Sequence, residues 1–257
     1  MSGNAAEPAV AARGGGDEPW PRRPQRMAVA VVEDLVDRIV GEEFRAGDAL
    51  PNEAALCTKY GASRTVIREA LQSAEAMHLV RALQGQGTIV RPFEDWDLLN
   101  PVVLATAIRH DAELAILEDL IDMRRALESQ MASHAATRAT DEQLGDITTA
   151  YDRLVATVND PALHRQADLV FHEAIMRASG NRLARVATLT ILGEGFRSHR
   201  YLGDATPEDC RIANVSHQQI RDRLLARDAE GAALSMDEHI VASWLRRRPY
   251  RAPDPAS

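Results

Sequence analysis

Apolar positions along the chain change their spacing twice, and those changes divide it. From Met27 to Val40, Val29, Val32, Leu35, Val36 and Ile39 recur at helical intervals, and Gly41 closes the run. A short helix is predicted from the Pro51–Asn52–Glu53 start to Tyr60, with a break at Gly61–Ala62. Ser63 then caps a new helix, its hydroxyl placed to accept from free first-turn amides. Val66, Ala70, Leu71 and Ala74 form the expected buried face of that helix. Two β-prone runs, Leu79–Leu83 and Thr88–Val90, flank Gly85 and Gly87, and Pro92 ends the second. Helix, tight turn, helix and β-ribbon together make a winged helix-turn-helix.

From Val102 onward the pattern is helical, with no β signal of any length. A short helix runs to about Arg109, and a long one spans Ala112–Arg138. The capping box Thr140-Asp141-Glu142-Gln143 starts a third, to about Val158. Pro161 opens a fourth, to Ser179, and Asn181 a fifth, to near Ser198. After a loop over Gly203–Pro207, two more run over Pro207–Ala226 and Ala229–Arg248. The expected fold class is mainly α: an N-terminal winged helix-turn-helix with a small β-wing, then a C-terminal all-α helical bundle.

The expected limits follow. Residues 1–26, rich in Gly and Pro, form a disordered tail. The winged head takes 27–91 and a linker 92–101, whose Trp96, Leu98 and Leu99 dock onto a body. The helical domain takes 102–248 and a tail 249–257. Arg246-Arg247-Arg248 reads as a solvated, fraying end.

Length and charge narrow the function. A chain of 257 residues suits two domains, and a net charge of −8 excludes a generally basic nucleic-acid coat. Leu50–Val90 carries Lys59, Arg64, Arg68 and Arg81 against Glu53, Glu69 and Glu75, so DNA binding must rest on a local face. Two cysteines, Cys57 and Cys210, suit a reducing cytosol, with Cys57 a small packed hydrophobe. No apolar run reaches about 18 residues, so no membrane span is expected. The N-terminus lacks an apolar signal core, and a cytoplasmic location is expected.

The second helix of the head carries the chemistry. Arg64, Thr65 and Arg68 sit in its first turns, off the buried face. A recognition helix reads bases with such residues: Arg pairs bidentately with a guanine edge, and a Thr methyl touches thymine. Ser63 and the helix N-terminus suit a phosphate. The segments LPNEAAL, SRTVIREAL and GQGTIV resemble the DNA-binding domain of the GntR family of bacterial transcription regulators. The resemblance implies DNA contacts from Ser63, Arg64, Thr65 and Arg68, and minor-groove contacts from Gln84 and Gly85 on the wing. Many relatives place an Arg where Ala54 stands, so either the operator differs or Arg45 compensates.

In the helical domain, polar residues fall on apolar faces. Arg124 lies within the stripe Leu117, Leu120, Ile121, Leu127 and Met131. An inward arginine needs an anionic partner, either Glu128 or a ligand carboxylate. Asp168 and His172 are i and i+4 on one face; His217 shares a face with Ile220 and Leu224, and His239 with Ala232 and Met236. One carboxylate and three imidazoles on inward faces make a candidate site for Zn, Ni or a similar divalent ion. His78, His110, His134, His164 and His199 lack this arrangement and are given no role. ADLVFHEAI, MRRALE and SGNRL, with the later histidines, resemble the effector domain of the FadR subfamily of the GntR family, of sugar-acid, galactonate-like type. That resemblance implies metal ligation by Asp168, His172, His217 and His239 and a carboxylate effector held by Arg124. It also implies a homodimeric repressor on a palindromic operator. Asn181 reads better as a helix cap than as a ligand contact. The competing reading is a metal-dependent enzyme using the same cluster. Its weakness is the missing general base, since Glu173 and Glu238 should face elsewhere.

Overall fold

A computed structural model describes residues 22–195 and 205–248, with side chains described for 27–193 and 205–248. The head comprises α1 (Arg22–Val40), α2 (Glu53–Tyr60), α3 (Arg64–Ala76), β1 (Val80–Leu83) and β2 (Gly87–Val90). A 3-10 turn (Phe93–Asp95) leads to α4 (Pro101–His110), α5 (Ala115–Arg138), α6 (Asp141–Ala156), α7 (Pro161–Ala178), α8 (Arg182–Gly195), α9 (Pro207–Leu225) and α10 (Ala229–Arg247). Among the described residues the one sheet is antiparallel, with Val80 opposite Val90 and Leu83 opposite Gly87. No helix there is long and apolar enough to cross a membrane.

Local chemistry sets most element ends. Asn52 Oδ1 accepts from the Ala55 amide at 2.9 Å and opens α2, while Gly61, at φ 59°, ends it. Ser63 Oγ accepts from the Val66 amide at 3.4 Å. The Thr140–Gln143 capping box opens α6, and a second box, Thr206–Asp209, opens α9 without having been foreseen.

Four expectations are corrected. The disordered tail does not extend to residue 26, because the backbone of Arg22–Arg26 is already α1. Pro24 fits there because a first-turn amide has no intrahelical acceptor to lose. Residues 1–21 and 249–257 lie outside the described residues, as do Ser198, His199 and the start of the Gly203 loop. The long helix starts at Ala115, not Ala112, because Leu114 is left-handed at φ 64° and Asp111 accepts from the Ala115 and Leu117 amides. On α3, Leu71 is half-buried while Ile67, Ala70 and Ala74 have no exposure, so the stripe is rotated toward Val66, Ile67, Ala70 and Ala74. The linker docks on the head, not on the bundle. Trp96 and Leu98 pack against its core, and Trp96 Nε1 donates to the Arg91 carbonyl at 3.0 Å. Leu99 is exposed.

Two apolar cores result. One joins Leu35, Ile39, Leu56, Ile67 and Leu79 of the head; the other joins Leu117, Ile147, Phe171, Ile220 and Met236 of the bundle. α4 belongs to both: Val103 enters the head core, and Leu104 and Ile108 enter the bundle core. In the bundle α5 packs along α10, and α6 packs against α7 and α9. That places inward residues of α5, α7, α9 and α10 around one point.

Candidate nucleic-acid interface and metal centre

On α3, Ser63, Arg64, Thr65 and Arg68 lie at one exposed end. Arg68 Nε sits 3.0 Å from both carboxylate oxygens of Glu53, and its side chain is 62% exposed. This pair positions the guanidinium more than it stabilises the fold, since exposed ion pairs contribute about 0–1 kcal/mol. Gln84 and Gly85 are exposed in the turn between β1 and β2, where Gly85 (φ 79°) and Gly87 (φ 87°) adopt the conformation that favours glycine. Ala54 and Arg45 are exposed, and Cys57 is half-buried.

In the bundle, ligand atoms of Asp168, His172, His217 and His239 all lie within 4.8 Å of one another. α7 supplies Asp168 and His172 one turn apart; α9 supplies His217 and α10 His239. The three histidines are buried. Their proton positions follow from their outer partners. His172 Nδ1 donates to Glu128 Oε2 at 2.7 Å, so its Nε2 turns a lone pair inward, and that buried atom has no hydrogen-bond partner. His217 Nδ1 lies 3.4 Å from Asn214 Oδ1, a longer approach than its Nε2 makes to Asp168. Asn214 is fixed by donating from Nδ2 to the Leu154 carbonyl and by accepting from His164 Nε2 at 2.9 Å. His217 Nε2 then faces Asp168 Oδ1 at 3.1 Å and His239 Nε2 at 3.1 Å. Burial pushes the His217 imidazole below its usual range, against the opposing pull of Asp168, so the ring is neutral. Adjacent ligands about 2.1 Å from a divalent ion stand about 3 Å apart, so the spacing fits.

Arg124 resolves toward the internal partner. Its Nε donates to Glu128 Oε1 at 2.6 Å, and both side chains are buried. Burial raises the Glu128 carboxyl, but Arg124 and His172 outweigh it and bring it down to about 2. Glu128 is therefore an anion that joins Arg124 to His172. Phe171, with no exposure, stands edge-on to His172 and His217 and holds both rings.

Arg124 also lines a partly open cleft of about 70 Å³ beside Asp168 and His239. Two expectations change here. His164, given no role, is buried on this wall and tied to His217 through Asn214. Its place on α7 one turn before Asp168 and two turns before His172 was the available signal. Arg246 and Arg247, read as part of a solvated end, also line the cleft, because α10 stays helical to Arg247. Asn181 caps α8 by accepting from the Ala184 amide at 3.1 Å. Glu173 pairs with Arg177 and Arg185, and Glu238 is exposed, so neither faces the cluster.

A winged head with an exposed recognition helix, joined to a helical bundle with a buried polar centre, defines the architecture of a DNA-binding regulator. The chain matches the bacterial regulatory proteins of the gntR family over residues 27–90 and the FCD domain over residues 119–242. It belongs to the GntR family of transcription regulators, in its FadR-type branch. It is 29% identical over 222 residues to the galactonate operon transcriptional repressor of Escherichia coli, covering 84% of this chain and 94% of that protein. It is 30% identical over 223 residues to a protein assigned as an L-lactate dehydrogenase operon regulatory protein of Escherichia coli, covering 84% of each. Lar of Listeria monocytogenes, a solved structure, aligns with a TM-score of 0.54 at 14% identity over 86% of this chain and 95% of that one, and shares the fold. These domains and relatives are those of regulators, not of enzymes.

Proposed function

We propose that the chain is a cytoplasmic, ligand-responsive repressor that works as a homodimer. The head, over 27–91, reads a palindromic operator through Ser63, Arg64, Thr65, Arg68, Gln84 and Gly85. The body, over 102–248, holds a divalent ion of the Zn or Ni class through Asp168, His172, His217 and His239 and takes a small carboxylate beside Arg124. Relatives named for galactonate and L-lactate dehydrogenase operons support a hydroxy-acid ligand, and the former supports repression. Such an ion supplies a fixed positive charge at the cleft floor. Glu128 and Asn214 hold the rings, and Phe171 keeps water from their outer faces. The observation that carries the reading is the convergence of ligand atoms from Asp168, His172, His217 and His239 within 4.8 Å of one another, with His172 Nε2 buried and without a hydrogen-bond partner.

Thermal unfolding of the whole chain with Zn²⁺ or Ni²⁺ and a panel of hydroxy-acids tests it. Binding to the folded state stabilises it by mass action, by about 3 kcal/mol at a hundredfold excess over Kd, and so raises the midpoint. The acid-induced rise is expected to vanish with chelator and in His239→Ala. A rise indifferent to both would sink the reading.

A further inference from the structure

We infer that His164 and Asn214 are positioning residues for His217: together they place its ring proton on Nδ1, so that Nε2 is free for the ion. This rests on the reading of the Asp168–histidine cluster as a metal centre and names what prepares one of its ligands. A neutral imidazole carries one proton and can hold it on either nitrogen. His217 Nε2 stands 3.1 Å from Asp168 Oδ1, a partner that favours a proton on Nε2. An ion needs the lone pair of that atom, so the proton must sit on Nδ1 and meet an acceptor there. Asn214 Oδ1 faces Nδ1 at 3.4 Å. That is about 0.4 Å beyond an ordinary N–H···O bond, so a small ring rotation completes it.

Two contacts decide that Asn214 presents its oxygen to the ring and not its amide nitrogen. Nδ2 lies 3.2 Å from the Leu154 carbonyl, which can only accept, so the NH2 group faces α6. His164 Nε2 lies 2.9 Å from Oδ1 and therefore donates to it. A flipped amide would set two oxygens against each other at Leu154. His164, Asn214 and His217 are all buried, so water does not stand in for a lost partner. Asn214 and His217 share a face of α9, three positions apart, while α7 brings His164 to the same oxygen. His164 also lines the cleft, so the pair runs from the cleft wall to the ion site. Glu128 prepares His172 in the same way, from Oε2 at 2.7 Å, and Asn214 is its neutral counterpart for His217.

Zn²⁺ titration of the full chain against a chromophoric chelator tests this. Asn214→Leu is expected to lower Zn²⁺ affinity by about ten- to a hundred-fold, the range for loss of a residue that orients a ligand. His164→Leu should lower it by about three- to ten-fold, and His164→Gln, which keeps a donor at the same reach, by less than about two-fold. Added to Asn214→Leu, the change His164→Leu should cost less than about two-fold more, because His164 acts only through Asn214. Losses that multiply in the double variant overturn the inference. Imidazole nitrogen NMR of the Zn²⁺-loaded parent gives a readout that needs no variant to fold: His217 should carry its proton on Nδ1. A proton on Nε2 overturns the inference. Equal Zn²⁺ affinity in the parent and every variant overturns it too and leaves the metal centre standing. No Zn²⁺ binding by the parent overturns both.

Discussion

Tyr60 donates its hydroxyl to Asp34 Oδ2 at 2.6 Å, and Arg38 Nε donates to the same oxygen at 2.7 Å, so one carboxylate ties α1 to the end of α2. Burial works to raise the Asp34 carboxyl, but these two bonds hold it below its ordinary 3.8. Tyr60→Phe is expected to cost about 1.5 kcal/mol at pH 7, the low end for a bond to a charged acceptor because that carboxylate is partly solvated. A carboxyl depressed by folding contributes stability above its unfolded value and loses it as pH falls through the folded value. The difference between parent and Tyr60→Phe in urea unfolding should therefore hold from pH 7 to about 5 and shrink below 3.8. A constant difference down to pH 2 would show that the bond does not depend on the charge. At this scale the sequence is legible where a residue breaks its own pattern. Arg124 stands out because it interrupts an apolar stripe, and Glu128 follows one turn later. Asn214 gives no such signal, because its partners, His164 and the Leu154 carbonyl, lie 50 and 60 positions away.

Elements were readable where caps and periods act locally. Ser63, Asn52 and the Thr140 box mark their helices because each cap bonds within three residues of itself. They were misread where a distant surface decides: Ile67 joins Ala70 and Ala74 in full burial and Leu71 does not, because α3 packs on α1 at an angle that periodicity does not contain. α3 also carries the element-scale prediction. Its N-terminal end presents Arg64 and Arg68, the latter steadied by Glu53. A bidentate arginine–guanine pair is worth about 1–3 kcal/mol of discrimination. Arg64→Ala/Arg68→Ala should therefore lower operator affinity by about a hundred-fold or more, but binding to unrelated duplex only a few-fold. Fluorescence anisotropy at fixed salt separates the two. Equal losses on both duplexes would reduce these arginines to phosphate contacts. Glu53→Ala is expected to fall between parent and double variant on the operator, since it frees Arg68 without removing it.

At the scale of the whole molecule the two-part division was legible, because the period changes at the wing and Pro92 marks its end. The cleft arginines were not, because a basic run near a chain end looks solvated until the end of α10 is known to line the same cleft as the start of α7. The join between the parts was equally hidden. Asp37 on α1 lies 3.1 Å from Arg109 Nη2 and 3.1 Å from His110 Nε2, both on α4. His110 first and Arg109 second hold the Asp37 carboxyl below its usual range. A Cβ at Gly41 would stand 2.9 Å from the Asp37 carbonyl and 2.9 Å from His110 Cε1, so a side chain there would crowd the His110 ring off Asp37. α4 in turn contacts α5, which carries Arg124 and Glu128, so a continuous series of packed elements runs from the polar centre to α1 and on to α3. Spatial continuity alone does not establish coupling; a shared opening equilibrium does. Exposed ion pairs contribute about 0–1 kcal/mol, so Asp37→Asn should speed amide exchange by about two- to five-fold. The increase should appear together at Gly41 and at Ile108–His110, with α10 unchanged. Faster exchange confined to Gly41 would mean that the head moves on the bundle without this clasp, and a ligand signal would then have to pass through the packing of Val103 instead.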